Sequence, residues 1–416
     1  MKYFFECCDC GKKYTENFLY LCPECSKDNS PGIPPRGVLF IRYYYEQILP
    51  ALSGIEKFET LKSRHYIDIL PLKSINSFPN LRVGNTPVYP VELSGDFKPI
   101  NQFFVKDDSQ NPTFSFKDRA SALVSAFAKE NGIHEIVAAS TGNAGSSLAG
   151  ICAAASQKAI IIVPKNIPPA KLLQIVMYGA TPVLIDGNYD DAFELSLKAS
   201  KEFGWFNRNT AYNPLTIEGK KSAALEIFDF FREKMPDLIF VPVGDGVILS
   251  GIYKGFEDLL KLGILKKIPC IVAVQASKSD NLVRNLNSDT FESRPASTTA
   301  DSISVDVPRN FNMAKHYLHK YGGMTALVDD KEIIDASGIL ARNSGIFAEP
   351  AASAAMAGFL KYLYDGKTGK NSINLVLSTG SGLKDLKTPM SSFSLPEILP
   401  CSLESITKTM SSHDSI

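Results

Sequence analysis

A lysine attacks a carbonyl only as a free amine, and the segment Asn111-Pro112-Thr113-Phe114-Ser115-Phe116-Lys117-Asp118-Arg119 favours that form. Asn111 and Pro112 mark a turn, Ser115 and Asp118 bracket a helix start, and Ala120–Glu130 continues as a helix. Lys117 then sits in a first helical turn among apolar neighbours, where desolvation lowers the cost of the neutral amine. Alone, a lysine so placed is far more often an ordinary solvated one. Three glycine-bearing loops, each expected after a strand, give it company. Ser140-Thr141-Gly142-Asn143-Ala144-Gly145 leads into a helical run and offers backbone N–H groups, two hydroxyls and an amide to an anion. Val243-Gly244-Asp245-Gly246-Val247 lets the backbone approach a phosphate closely, and its spacing to Gly251 is not that of a dinucleotide fingerprint. Leu377-Ser378-Thr379-Gly380-Ser381-Gly382-Leu383-Lys384-Asp385 places a hydroxyl at a strand end, suited to a neutral pyridine nitrogen.

A separate chemistry stands at the N-terminus. Cys7-x2-Cys10 and Cys22-x2-Cys25 have the spacing of a zinc ribbon, with Gly11 and Pro23 fitting tight knuckles. Four thiolates leave no open coordination position, so the expected Zn²⁺ is structural, and Cys8 is a bystander. Cysteines clustered in this way argue for a reducing compartment, and the chain reads as cytoplasmic. His316 and His319, three apart on an expected helix, read as surface residues.

The elements that must position these groups follow from periodicity. Short β-branched runs at 136–137, 159–163, 182–185, 238–241, 270–274 and 373–377 alternate with segments of helical spacing at 189–203, 218–234 and 350–364. Apolar strands alternating with helices predict an α/β architecture with parallel sheets covered on both faces. Residues 36–84 read as mostly helical, with Tyr43, Tyr44 and Tyr45 as packing residues. Lys+Arg and Asp+Glu both number 44, so net charge is zero and nothing suggests nucleic acid or an anionic membrane. No apolar run approaches the roughly 20 residues that span a bilayer. Partners should be small molecules or copies of the chain itself, a homodimer included.

Together the four loops resemble the fold-type II pyridoxal phosphate (PLP) enzymes of the tryptophan synthase β-like group, and among them the threonine synthases. Gly84-Asn85-Thr86-Pro87-Val88 resembles the opening turn, Phe104–Asp108 the strand before the lysine, and Gly345-Ile346-Phe347-Ala348-Glu349-Pro350-Ala351 a helix-capping motif. The resemblance covers roughly residues 80–388 and implies that Lys117 is the catalytic lysine holding PLP as a Schiff base. It implies that Asn143 bonds the pyridine 3′-oxygen, that Gly244, Asp245, Gly246, Val247 and Ile248 form the phosphate cup, and that Thr379 faces the ring nitrogen. Ser140 and Thr141 would receive the substrate carboxylate, with Asn209 and Thr210 also on the substrate.

The implied arrangement is a zinc ribbon over 1–34, a large PLP-binding domain over 35–116 and 214–400, a small inserted α/β domain over 117–213, and a tail over 401–416. The implied reaction converts O-phospho-L-homoserine and water to L-threonine and phosphate. The alternatives are a threonine/serine ammonia-lyase or related β-replacement enzyme and, outside catalysis, a degenerate body carrying a partner-binding ribbon.

Three positions depart from the resemblance. Phe114 stands where glycine is usual, and Asp245 brings a carboxylate into the cup. Thr216 occupies the place of the arginine expected on a substrate phosphate, and a hydroxyl cannot replace a bidentate guanidinium. Lys106, Arg119, Arg208 and Lys220 are the candidate substitute cations, Arg208 first because it directly precedes Asn209-Thr210.

Overall fold

The computed structural model describes residues 2–52, 56–94, 102–140, 142–165, 167, 169–390 and 398–413. Its strands, in chain order, are β1 Tyr3–Cys7, β2 Lys13–Tyr14, β3 Leu39–Tyr43, β4 Val88–Pro90, β5 Phe103–Asp107, β6 Glu135–Ala139 and β7 Lys158–Pro164. They continue as β8 Thr181–Ile185, β9 Phe206–Asn207, β10 Leu238–Pro242, β11 Cys270–Ala276, β12 Met324–Val328 and β13 Asn374–Ser378. Three sheets result. One has the order β12-β11-β10-β13-β5-β4, parallel except for the edge strand β4. The second, β8-β7-β6-β9, is parallel throughout. The third is the antiparallel trio β2-β1-β3 at the N-terminus.

The central strands carry the signature of burial on both faces. Every residue of β10 and β13 is buried, as are six of the seven in β7. The predicted helices at 189–203 and 350–364 form as Tyr189–Phe203 and Pro350–Tyr364. The helical expectation for 36–84 does not hold. Leu39–Tyr43 pairs with β1 along its whole length, and helix there is confined to short pieces, Lys57–Ser63 being the longest. A run of β-branched and aromatic residues beside an open sheet edge overrides weak helical periodicity. β12, absent from the sequence reading, is a half-buried edge strand and so lacks the continuous apolar run of its neighbours.

The N-terminal sheet packs on both α/β bodies. Tyr20 stacks on Tyr212 at 4.6 Å and accepts a hydrogen bond from Asn207 N (2.8 Å). Phe18 meets Phe127 and Phe206. On the other side, Tyr43 donates to Glu218 and Tyr45 to Asp258, so the tyrosines at 43 and 45 are packing residues whose hydroxyls close buried ion pairs. His316 and His319 are exposed, as expected. Among the described residues, no helix is long and apolar enough to cross a membrane.

Candidate active site

Lys117 opens the helix Lys117–Glu130 and is half-buried on the wall of a cavity of about 480 Å³. Burial pushes its amine below the ordinary value; Glu349 pulls the other way, and the charge of Arg208 adds to the lowering. The turn before it is fastened at both ends. Thr113 donates to the buried Asp118 through its backbone N (2.7 Å) and its hydroxyl (2.5 Å). Phe116 N donates to Thr379 O (2.9 Å) and Ser381 N to Phe114 O (3.1 Å), which ties the lysine loop to the loop after β13. Phe114 has a φ of +65°, the left-handed region that glycine favours, and its side chain is 48% exposed. The phenyl group therefore lies out from the fold rather than across the approach to Lys117.

The same cavity is lined by Ser140, Gly142, Asn143 and Thr210 from the smaller parallel body, and by Val243–Leu249 and Thr379 from the larger. Ser140 Oγ accepts from Gly142 N (3.2 Å) and Gly145 N (3.0 Å), shaping the loop at the end of β6. Thr141 lies outside the described residues. Gly246, with φ +88°, caps the helix Val247–Lys261 without any side-chain hydrogen bond, so the first N–H groups of that helix face the cavity. Asp245 turns aside. Its carboxylate accepts from Arg309 N (3.1 Å), and Arg309 itself pairs with Asp190. The repulsion expected from Asp245 is met by that backbone donor and by the charge of Arg309, although burial still raises its carboxyl.

Two predicted substrate residues stand behind the wall. Asn209 uses its side chain on Ala139 N (2.8 Å) and Ser196 Oγ (2.7 Å). Arg208, 1% exposed, donates from Nε to Ser121 Oγ (3.2 Å) and from Nη1 to the cavity-lining Thr210 Oγ1 (2.9 Å), while Nη2 has no partner among the described residues. The candidate cations thus divide. Lys106 and Arg119 are neutralised by Glu226 and Asp108 and do not line the cavity. Lys220 lines it. Thr216 is buried, and its hydroxyl donates to Asn213 O (2.7 Å).

Glu349 corrects the reading of its motif. It stands at the N-terminus of Pro350–Tyr364 but makes no capping bond; its carboxylate instead receives Asn143 Nδ2 at 2.8 and 3.0 Å. Lys384 was likewise overlooked as a support. Its ammonium, pushed down to about 8 by burial, donates to Thr113 O (2.9 Å), Ser146 Oγ (3.1 Å) and Gln174 Oε1 (3.1 Å), binding three segments around the site. Tyr189 and the 301–307 loop also line the cavity, and nothing in their local sequence announces it.

A buried lysine amine, an uncapped helix start and a strand-end hydroxyl converge on one cavity. The family model described as pyridoxal-phosphate dependent enzyme matches residues 80–380. The chain belongs to this family. Threonine synthase of Methanocaldococcus jannaschii is 32% identical over 414 residues, covering 97% of this chain and 98% of that protein. The threonine synthase of Methanosarcina acetivorans is 30% identical over 98% of both. That of Halalkalibacterium halodurans is 34% identical over 81% of this chain and 93% of its own. Among solved structures, threonine deaminase isoform 2 from Solanum lycopersicum aligns with a TM-score of 0.65 at 20% identity, covering 83% of this chain and 96% of that one. Maize serine racemase aligns at 0.63 and 18%, over 88% and 98%. These structures share the fold of the PLP family.

The N-terminal cysteines form a second cluster. The Sγ atoms of Cys7, Cys10, Cys22 and Cys25 all lie within 4.8 Å of one another, and Cys10 and Cys22 are 3.9 Å apart. A tetrahedral ion with four Zn–S bonds of about 2.3 Å requires sulfurs about 3.8 Å apart. The donor set and its spread fit.

Proposed function

We propose that this chain is a threonine synthase that converts O-phospho-L-homoserine and water to L-threonine and inorganic phosphate. One observation carries the reading: Lys117, the uncapped start of Val247–Lys261 and Thr379 share a cavity beside two buried cations, Lys220 and Arg208, that form no ion pair among the described residues. Similarity to threonine synthases along almost the whole chain supports it.

Pyridoxal phosphate, when bound, supplies an electron-withdrawing ring that spreads the negative charge left by loss of an α-proton. The residues divide the remaining work. Gly244–Ile248 offer backbone donors to the cofactor phosphate, and Thr379 offers a hydroxyl to the ring nitrogen. Asn143, held by Glu349, fixes one edge of the ring. Lys117 is the group that takes and returns the proton at Cα, a role that its depressed basicity suits. Ser140 and Thr141 take the substrate carboxylate, and Thr210 with Arg208 takes its distal end. In the net reaction the Cγ–O bond breaks and the hydroxyl of water ends on Cβ.

The proposal includes one structural Zn²⁺ on Cys7, Cys10, Cys22 and Cys25, a cytoplasmic location and a homodimeric assembly. Elemental analysis should give about one zinc per chain, and Cys10→Ser should lose it before the cofactor is lost.

The functional test is release of phosphate from O-phospho-L-homoserine with threonine formation. Wild type should support it, and Lys117→Ala should lower it roughly a thousandfold or more. A wild-type protein that releases no phosphate yet converts threonine or serine to a keto acid is an ammonia-lyase. Thr216 in place of an arginine is the observation that keeps this second reading in view.

A further inference from the structure

Lys220 ends the short helix Leu215–Lys220, and the helix is wedged into place by two close approaches. A Cβ on Gly219 would lie 2.3 Å from Arg119 O, so backbone meets backbone beside the Lys117 helix. A Cβ on Gly251 would lie 2.6 Å from Lys220 Cβ, which presses the lysine against the helix that starts at the phosphate cup. Lys220 is 2% exposed yet lines the cavity. Among the described residues its ammonium reaches one acceptor, Thr216 O at 3.2 Å, and forms no ion pair. Burial drives it well below its ordinary basicity, and the positive charges of Arg208 and Lys117 push the same way; Asp245 gives partial relief. Arg208, also buried, leaves Nη2 without a partner behind Thr210.

Two buried cations, one on the cavity wall and one behind it, with only the partial relief of Asp245, are costly unless an anion binds near them. The cofactor phosphate has its own cradle in the backbone of Gly244–Ile248. Lys220 instead stands one helical turn after Thr216, on the same face of its helix. We propose that Lys220, with Arg208, forms a second phosphate subsite in this cavity, which binds the phosphate of the substrate in place of an arginine at position 216. The assignment of that phosphate to O-phospho-L-homoserine rests on the function proposed above; the subsite itself does not.

The test uses PLP-loaded enzyme, with Lys220→Gln and Lys220→Arg beside wild type. Inorganic phosphate should compete with the amino-acid substrate in wild type. Lys220→Gln should raise KM for O-phospho-L-homoserine, and the inhibition constant for phosphate, by on the order of tenfold to a hundredfold, the effect of one charge-assisted hydrogen bond. Cofactor content and its visible absorbance should not change, and Lys220→Arg should recover most of the loss. If Lys220→Gln retains its fold but loses PLP, Lys220 serves the cofactor phosphate and the proposal is overturned. Unchanged KM and unchanged phosphate inhibition overturn it too. If Lys220→Gln fails to fold, phosphate titration of wild type decides, and absence of competition overturns it. Wild type that is inhibited by phosphate but does not turn over O-phospho-L-homoserine refutes the threonine synthase reading while upholding the subsite.

Discussion

Lys220 and Lys221 are adjacent in the chain, both buried to 2% or less, and they live in opposite electrostatic worlds. Lys221 points toward the N-terminal sheet. It meets Glu218 and, at 2.8 Å, Asp258, while Ile69 O and Tyr43 Oη complete its set of acceptors. Burial alone would lower its basicity, but Asp258 and Glu218 outweigh that and hold it above the ordinary value. Lys220 points into the cavity, meets a single carbonyl, and is pushed well below. The same side chain, one residue apart, is neutralised where the fold must be held and left open where a ligand can complete it. Arg119 repeats the first pattern with Asp108 and Glu226, and Arg208 repeats the second. A buried charge without a partner thus separates the binding wall from the scaffold more sharply than burial or residue type does.

The comparison breaks most readily on its scaffold side. Lys221→Gln should destabilise the protein by about 3 kcal/mol, because it removes one cation from two buried carboxylates. The value lies at the low end of the usual range because Lys254 still reaches both Glu218 (3.2 Å) and Asp258. Urea denaturation read by circular dichroism checks it, and KM for the amino-acid substrate should stay near that of wild type. A Lys221→Gln enzyme with native stability and impaired binding would erase the distinction between the two lysines.

Gly219→Ala should disturb both lysines at once. The new methyl would collide with Arg119 O and with Ala120 Cα (2.8 Å), atoms of a helix backbone that cannot rotate away. The expected cost is about 1–3 kcal/mol, the usual range for overpacking, with weaker substrate binding because Lys117 and Lys220 flank that contact. Denaturation midpoints and KM should shift together in this variant, whereas Lys221→Gln shifts only the first.

How much of this was legible in the sequence depends on what each role requires. Lys117, Gly244–Val247 and Thr379, which line one cavity, and the four clustered cysteines stand out in the sequence because turn residues and fixed spacings announce them. The central strands of the two parallel sheets were legible because burial on both faces writes a continuous apolar run, which the edge strand β12 lacks. Glu349 entered only within the 345–351 segment that resembles a helix-capping motif, and its reach to Asn143 depends on a contact between segments 206 residues apart. Lys220 was one of four candidate cations, and Arg208 ranked ahead of it on adjacency to Asn209. Which of the four lacks an acid is decided by where Glu226, Asp108, Glu218 and Asp258 fall in space, and no local pattern encodes that. The strand Leu39–Tyr43 was missed for the same reason, since its partner edge belongs to the cysteine module.

The smallest effect gives the most direct reading of the difference between the two lysines, through the pH dependence of stability. Lys220 has a folded value below its unfolded one, so the folded state resists the proton that the unfolded chain accepts. Above the ordinary lysine value of about 10.5 both states are neutral there and the position costs nothing. As pH falls through that value toward the folded one, wild type loses stability relative to Lys220→Gln. Lys221 has the opposite sign. Its raised folded value contributes stability that is present below the unfolded value and is lost only as pH rises through the folded one. Denaturation of PLP-loaded wild type and both variants in phosphate-free buffer, from pH 8 to 10.5, should therefore separate the two: the advantage of Lys220→Gln over wild type shrinks toward the alkaline end, whereas the disadvantage of Lys221→Gln stays nearly constant and shrinks only above that range. Added phosphate should abolish the first trend by supplying the missing counter-charge and leave the second untouched. Parallel trends for the two variants, or a phosphate effect on Lys221→Gln as large as that on wild type, would mean that the two lysines share one environment.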